Sequence, residues 1–371
     1  MAACVDYRKS QVTKIIRSVL RIRQTVFHDI RDMCFRGVRA DLDNQNSTSR
    51  MLNQLSFVIP MLTVLYAMLV CGTDNFRRVI SYITEEETHL STCDDEEILK
   101  LHSRHLRIGK FVSTILVFTV ASTGTAIVLE NLYRNLPTLK RSSGGNDTIE
   151  VDTIFDVYYF GIDKSKHAVA FVLVNEIVCV FNTTLTLAVK SIMLTCMIFA
   201  AFALSALRIR FRKVDAKEDV GLSLKHLIVQ HQRVIGYVDD LNDLVKHIIL
   251  FEYVFESLTV AAVSVQLATC EPKLMPPTAS YLCYLLLQIL MLGWTTNEIK
   301  VQSLALSDGL YESPWYRQNE SSKRVLLVMT RLTQKPLTLT IGPFGAMTMQ
   351  SALAVIKGSY SYVTLMKNNY K

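Results

Sequence analysis

The 371-residue sequence has no CxxC pair among its eight cysteines, no Gly-rich phosphate loop, no GxSxG nucleophile turn and no HExxH metal motif. Nothing in the residues therefore points to nucleotide, acyl-transfer or zinc chemistry, and neither an enzyme nor a cofactor is expected. Charge is also scarce. Asp, Glu, Lys and Arg make up 20% of the chain against 50% for the apolar set AVILMFWYC, and mean hydropathy is +0.25. That balance is too apolar for an ordinary soluble domain or a disordered chain, and the cysteine pattern does not suit a secreted disulfide scaffold.

The excess of 40 Lys and Arg over 33 Asp and Glu gives a net charge of +7. The basic residues lie between apolar blocks and do not gather into one patch, so they read as orientation signals and not as a nucleic-acid surface. At least three cysteines lie inside apolar runs, where free buried thiols are expected. The basic N-terminal stretch has no apolar core and no cleavage site of the signal-peptide kind, so insertion begins with an internal span. His102 and His105, and His226 and His231, fall in polar helical segments without ligand spacing, and no metal site is expected there.

The apolar residues form blocks of membrane-spanning length. They lie at 55–71 (with Pro60 inside), 111–129 (no charge), 167–207, 248–269, 280–294 and 347–366. The block 167–207 carries no turn residue, so one long helix is expected there, interrupted only by the charges Glu176 and Lys190. Lys190 is expected near one membrane surface with its amine reaching water. The short turn at 270–273 makes the next two spans antiparallel neighbours. The fold class is thus all-α, a polytopic transmembrane helix bundle. Its organisation reads as a basic segment (1–50), the first three recognisable spans including the long helix (51–207), a cytoplasmic helical region (208–247), a pair of spans (248–298), and an anchor segment with a C-terminal span (299–371).

Taking alternate sides, segments 72–110, 208–247 and 299–345 carry 20 basic residues against eight in 131–166, 270–279 and 367–371. The first set is expected in the cytoplasm. Asn146 of the sequon Asn146-Asp147-Thr148 then faces outside and is the candidate glycosylation site. Six spans would place the ten basic residues of 1–50 outside as well, which the charge rule opposes, so a further span upstream is expected to be missing or divergent. This orientation also opposes a G-protein-coupled receptor, and the lack of internal repeats opposes a transporter.

Near the C-terminus the residues become specific. Ser307, Tyr311, Trp315 and Tyr316 form an SxxxYxxxWY pattern, followed by Lys323-Arg324-Val325-Leu326-Leu327, by Pro336-Leu337, and by Lys357-Gly358-Ser359-Tyr360-Ser361-Tyr362-Val363-Thr364-Leu365-Met366. Together with Asn75-Phe76-Arg77-Arg78-Val79-Ile80 after the first span, this resembles the insect odorant receptor family. The resemblance extends in weaker form over residues 40–371; the related gustatory receptors are the alternative. It implies a seven-helix subunit with cytoplasmic N-terminus, here with its first span missing or divergent. It further implies assembly as a hetero-tetramer with the co-receptor Orco into an odorant-gated, non-selective cation channel in the plasma membrane of olfactory neuron dendrites.

The resemblance also implies sites. The last span would line the pore, with Leu365 as first candidate for an apolar ring that blocks ions by dewetting, and with Ser361, Tyr362 and Thr364 beside it. The alternative for Leu365 is packing on a neighbouring helix. For Ser359, Ser361 and Thr364 it is interhelical hydrogen bonding. A small volatile ligand would sit among the early spans and the penultimate one, beside Phe57, Ile59, Met61, Ser122, Phe171, Asn175, Val178, Tyr281, Tyr284 and Leu285. Tyr281 and Tyr284 are one turn apart and can share a face, either in the pocket or as anchors at the lipid interface.

Overall fold

The computed structural model describes residues 65–142, 168–213, 220–269 and 275–369. Within them the chain is built from seven helices: α1 (Asp74–Ser91), α2 (Glu96–Ser142), α3 (Ala168–Arg212), α4 (Val220–Thr269), α5 (Met275–Glu312), α6 (Glu320–Thr333) and α7 (Met349–Asn369), after a helical stretch at 65–70. Four of these, over Glu96–Leu129, Val172–Arg212, Leu224–Ser264 and Thr278–Glu312, are long and apolar enough to cross a membrane. The helix α7 covers the last apolar block but is not one of the four among the described residues. The first block (55–71) lies mostly outside the described residues, as does the whole N-terminal segment.

The long helices outrun their apolar blocks. The 47 residues of α2 span about 70 Å at about 1.5 Å per residue, against a hydrocarbon core of about 30 Å. A charge-free run marks the part of a helix that lies in lipid, whereas the helix ends where a cap or breaker stops it. Thus α2 continues to Ser142, into the polar segment 131–166, and α4 joins the expected water-facing helix and the following span into one rod of 50 residues. As the missing turn residues predict, α3 is one uninterrupted helix of 45 residues. Starts are marked locally. The Asp95 carboxylate accepts from Glu97 N at 3.0 Å ahead of α2, Thr73 caps α1 through Phe76 N, and Asn319 caps α6 through Ser322 N at 2.8 Å.

The helix α3 is the centre of the bundle. From Cys196 to Leu207 it is buried almost without a break except at Ile198, so it has neighbours on every side and no polar face. Its Met197, Leu204, Leu207 and Phe211 meet Leu241 and Ile249 of α4 and Ile299 and Leu306 of α5 in one continuous core. Two glycines permit the closest approaches. A Cβ on Gly309 of α5 would fall 2.8 Å from the Arg208 carbonyl oxygen of α3, and one on Gly293 would fall 2.6 Å from Ala352 Cβ of α7.

One end of the bundle is charged and clasped. Lys213 bonds Asp95 at 2.7 Å and lies 3.1 Å from Glu97, which also pairs with Arg212, so the end of α3 is tied to the start of α2. Arg78–Asp240 (3.1 Å) and Glu85–Arg233 (3.0 Å) tie α1 to α4. Beneath this layer Tyr82 stacks on Tyr237 at 4.6 Å with Phe199 and Phe202 around them, and Tyr237 Oη donates to the Cys196 carbonyl at 2.9 Å. His102 and His105 pack their rings on Phe202 in the same layer.

Candidate functional site

Among the described residues, an ion triad and a polar stripe lie inside the membrane-length part of the bundle. Lys190 Nζ of α3 lies 3.3 Å from Glu252 Oε1 and 3.0 Å from Glu256 Oε1 of α4, with side chains 13%, 10% and 12% exposed. The expectation that Lys190 reaches water at a membrane surface is thus incorrect. An ammonium in the interior is held by two carboxylates four residues apart on one helix face, which removes the gain from reaching for water. The signal was present in the sequence, because Glu252 and Glu256 are acids at one-turn spacing inside an apolar block.

The second is a stripe on α5. Tyr281 and Tyr284 stack with ring centroids 6.3 Å apart and planes 22° apart. Tyr284 packs against the cluster formed by Val112, Leu116 and Val120 of α2 and Leu194 of α3, and its neighbour Leu285 is buried. One turn further along, Gln288 is buried and lines a small cleft with Lys190, Glu252, Leu116 and Met193. Gln288 is a polar side chain at a site that the sequence did not flag, since glutamine in a span leaves no charge to notice.

The remaining candidates are placed as follows. Asn175 is buried and Val178 half-buried on α3; Phe171 is on the same helix. Ser122 is exposed on α2 and its hydroxyl donates back to the Thr119 carbonyl at 3.0 Å, whereas the neighbouring Thr123 is buried with no partner for Oγ1 among the described residues. The inward hydroxyl of that turn therefore belongs to Thr123. Phe57, Ile59, Met61 and Asn146 lie outside the described residues. Ser361 is exposed on α7 and its hydroxyl donates to the Lys357 carbonyl at 3.1 Å; Tyr362, Thr364 and Leu365 continue the same helix.

The SxxxYxxxWY residues sit where α5 ends. Pro314 stops the helix, Trp315–Arg317 form a short 3₁₀ turn, and Tyr316 lies between the Trp315 ring (6.2 Å) and the Arg317 guanidinium (5.5 Å). The connection to α7 folds back on α4. The Asn242 side-chain oxygen accepts from Thr340 N at 2.8 Å, and Gly342 takes φ +50° against Leu250, where a Cβ would come within 2.9 Å.

Comparisons with known proteins bear on the fold and the family. Odorant receptor 10 of Aedes albopictus is 30% identical over 154 residues, 41% of each chain. Odorant receptor Or2 of Anopheles gambiae is 28% identical over 188 residues, 47% of this chain and 50% of that one. The chain thus spans about half the length or less of these curated relatives. The olfactory receptor OR5 from Machilis hrabei superposes with a TM-score of 0.80 over 98% of both chains at 16% identity. Its complex with eugenol superposes with a TM-score of 0.75 over 98% of this chain and 90% of that one, also at 16% identity. The fold is therefore that of an insect olfactory receptor, and the chain is a multi-pass membrane protein. A family model described as 7tm Odorant receptor matches residues 48–360, most of the chain, and the chain belongs to that odorant receptor family.

Proposed function

We propose that the chain is the odorant-binding subunit of a ligand-gated, non-selective cation channel, acting in a hetero-tetramer with the co-receptor Orco at the plasma membrane of an olfactory neuron. The family match over 48–360 carries this reading. The ligand is a small volatile, a class to which the eugenol held by the OR5 relative also belongs. Its pocket lies among Phe57, Met61, Ser122, Phe171, Asn175, Val178, Tyr281 and Tyr284, where burial of apolar ligand surface contributes roughly 25 cal/mol per Å². The gate lies on α7 around Leu365, with Ser361, Tyr362 and Thr364. Odorant binding opens it to the extent that the ligand prefers the open arrangement of the helices.

The test is whole-cell current in cells expressing the chain with and without Orco, challenged with a broad panel of volatiles after surface delivery is verified. The expected result is an odorant-evoked cation current that requires both subunits. A chain delivered to the surface beside Orco and silent to the whole panel overturns the reading.

A further inference from the structure

We propose that Gln288, Glu252 and Lys190 form a polar subsite at the deep end of the ligand pocket, and that this subsite takes the hydroxyl group of a volatile alcohol or phenol. The inference rests on the odorant-binding reading and names the ligand class for it. Gln288 follows Tyr284 by four residues and Tyr281 by seven on α5, so the three lie along one stripe of that helix. Gln288 is 8% exposed, and its Oε1 has no hydrogen-bond partner among the described residues. A buried amide oxygen in that state calls for a donor.

The cleft that Gln288 lines with Lys190 and Glu252 has a volume of about 20 Å³. That is room for one water molecule or one hydroxyl and not for a carbon skeleton, which in this proposal stays outside the cleft, on the side of Tyr284 one turn away along α5. The polar groups are matched to a hydroxyl. Gln288 Oε1 accepts, and the Lys190 ammonium has three N–H groups, two of which face Glu252 and Glu256. A ligand O–H donates to Gln288 while its oxygen accepts from Lys190. An ether or ester oxygen only accepts and leaves Gln288 Oε1 unpaired, and a hydrocarbon satisfies neither group. A site with a buried group awaiting a donor discriminates strongly against ligands that lack one.

The experiment uses matched volatile pairs, each an alcohol or phenol and its methyl ether, on cells expressing the chain with Orco. For an active pair, the half-maximal concentration of the hydroxyl member is expected to be about tenfold lower than that of the ether. Gln288→Met is expected to raise the first about tenfold and move the second less than twofold. Equal shifts of both members, or an ether as potent as its alcohol on the unaltered chain, overturn the subsite. If other volatiles evoke current and no pair does, the subsite is overturned; if the whole panel is silent, the channel reading fails by itself, and the purified chain decides the subsite through fluorescence of Trp294, six residues along α5 from Gln288. Tighter binding of the hydroxyl member, lost in Gln288→Met, supports it. Equal binding of both members, or binding of neither, overturns it.

Discussion

Lys190 shows how one residue changes meaning between sequence and structure. A lysine in an apolar run is costly in lipid and has two remedies, reaching for water or finding carboxylates. Here Glu252 and Glu256 arrive from α4, 62 and 66 positions further along the chain; their one-turn spacing in an apolar block marks them as acids in need of a cation, and only the packing of α3 on α4 makes Lys190 that cation. Lys190→Met leaves two carboxylates without their cation in the interior and is expected to lower stability by about 3–5 kcal/mol. The thermal midpoint of the purified protein measures it. Adding Glu252→Gln and Glu256→Gln to the same chain is expected to recover much of the loss; no recovery would show that the lysine acts through packing instead. Ser122 and Thr123 make a related point, because which of two adjacent hydroxyls faces inward depends on the rotation of α2 against α3, and composition at that turn is the same for both.

At the scale of elements, the helices were legible as apolar blocks while their ends were not. Capping residues and breakers such as Thr73, Asn319 and Pro314 set the ends of α1, α5 and α6, and the polar extensions of α2, α4 and α5 are helical outside their apolar blocks, that of α2 running on through Pro137. The clasp between α2 and α3 lies on such extensions and gives them a pH and salt dependence. Hydrogen bonding from Lys213 holds the Asp95 carboxyl below its ordinary value of 3.8, and the same bond raises the Lys213 ammonium above 10.5. The Asp95 contribution is complete above the ordinary carboxylate range and is lost as pH falls through the lowered value. The Lys213 contribution is complete below 10.5 and is lost as pH rises through the raised value. The clasp is therefore fully formed across neutral pH and weakens at both extremes. Both side chains are partly exposed, so a double-mutant cycle with Asp95→Asn and Lys213→Met is expected to return below about 1 kcal/mol at neutral pH, less in high salt, and close to zero in strong acid.

For the whole molecule, the exterior is as telling as the core. Phe111, Phe118 and Leu129 stand 67%, 72% and 64% exposed along α2, a surface that suits lipid and not water. Phe118→Arg puts a charge on that lipid-facing surface at mid-span and is expected to cost about 2.5–3.5 kcal/mol of insertion, read as a fall in membrane-integrated protein. The basic-residue asymmetry further predicts that Asn146 carries a glycan. A glycosidase-sensitive mass shift that vanishes in Thr148→Ala tests it, and an unshifted protein at the cell surface argues for the opposite orientation. Class and family were legible in the sequence alone, because hydrocarbon length acts on local composition, and the SxxxYxxxWY and SYS segments are contiguous. Only the tertiary structure decided that α3 is wrapped on all sides, that Lys190 is neutralised by α4, and that Gln288 meets the triad in a cleft. Those facts depend on the packing of helices remote in sequence, where the partner of a buried group is chosen by proximity in space and leaves no mark on its chain neighbours.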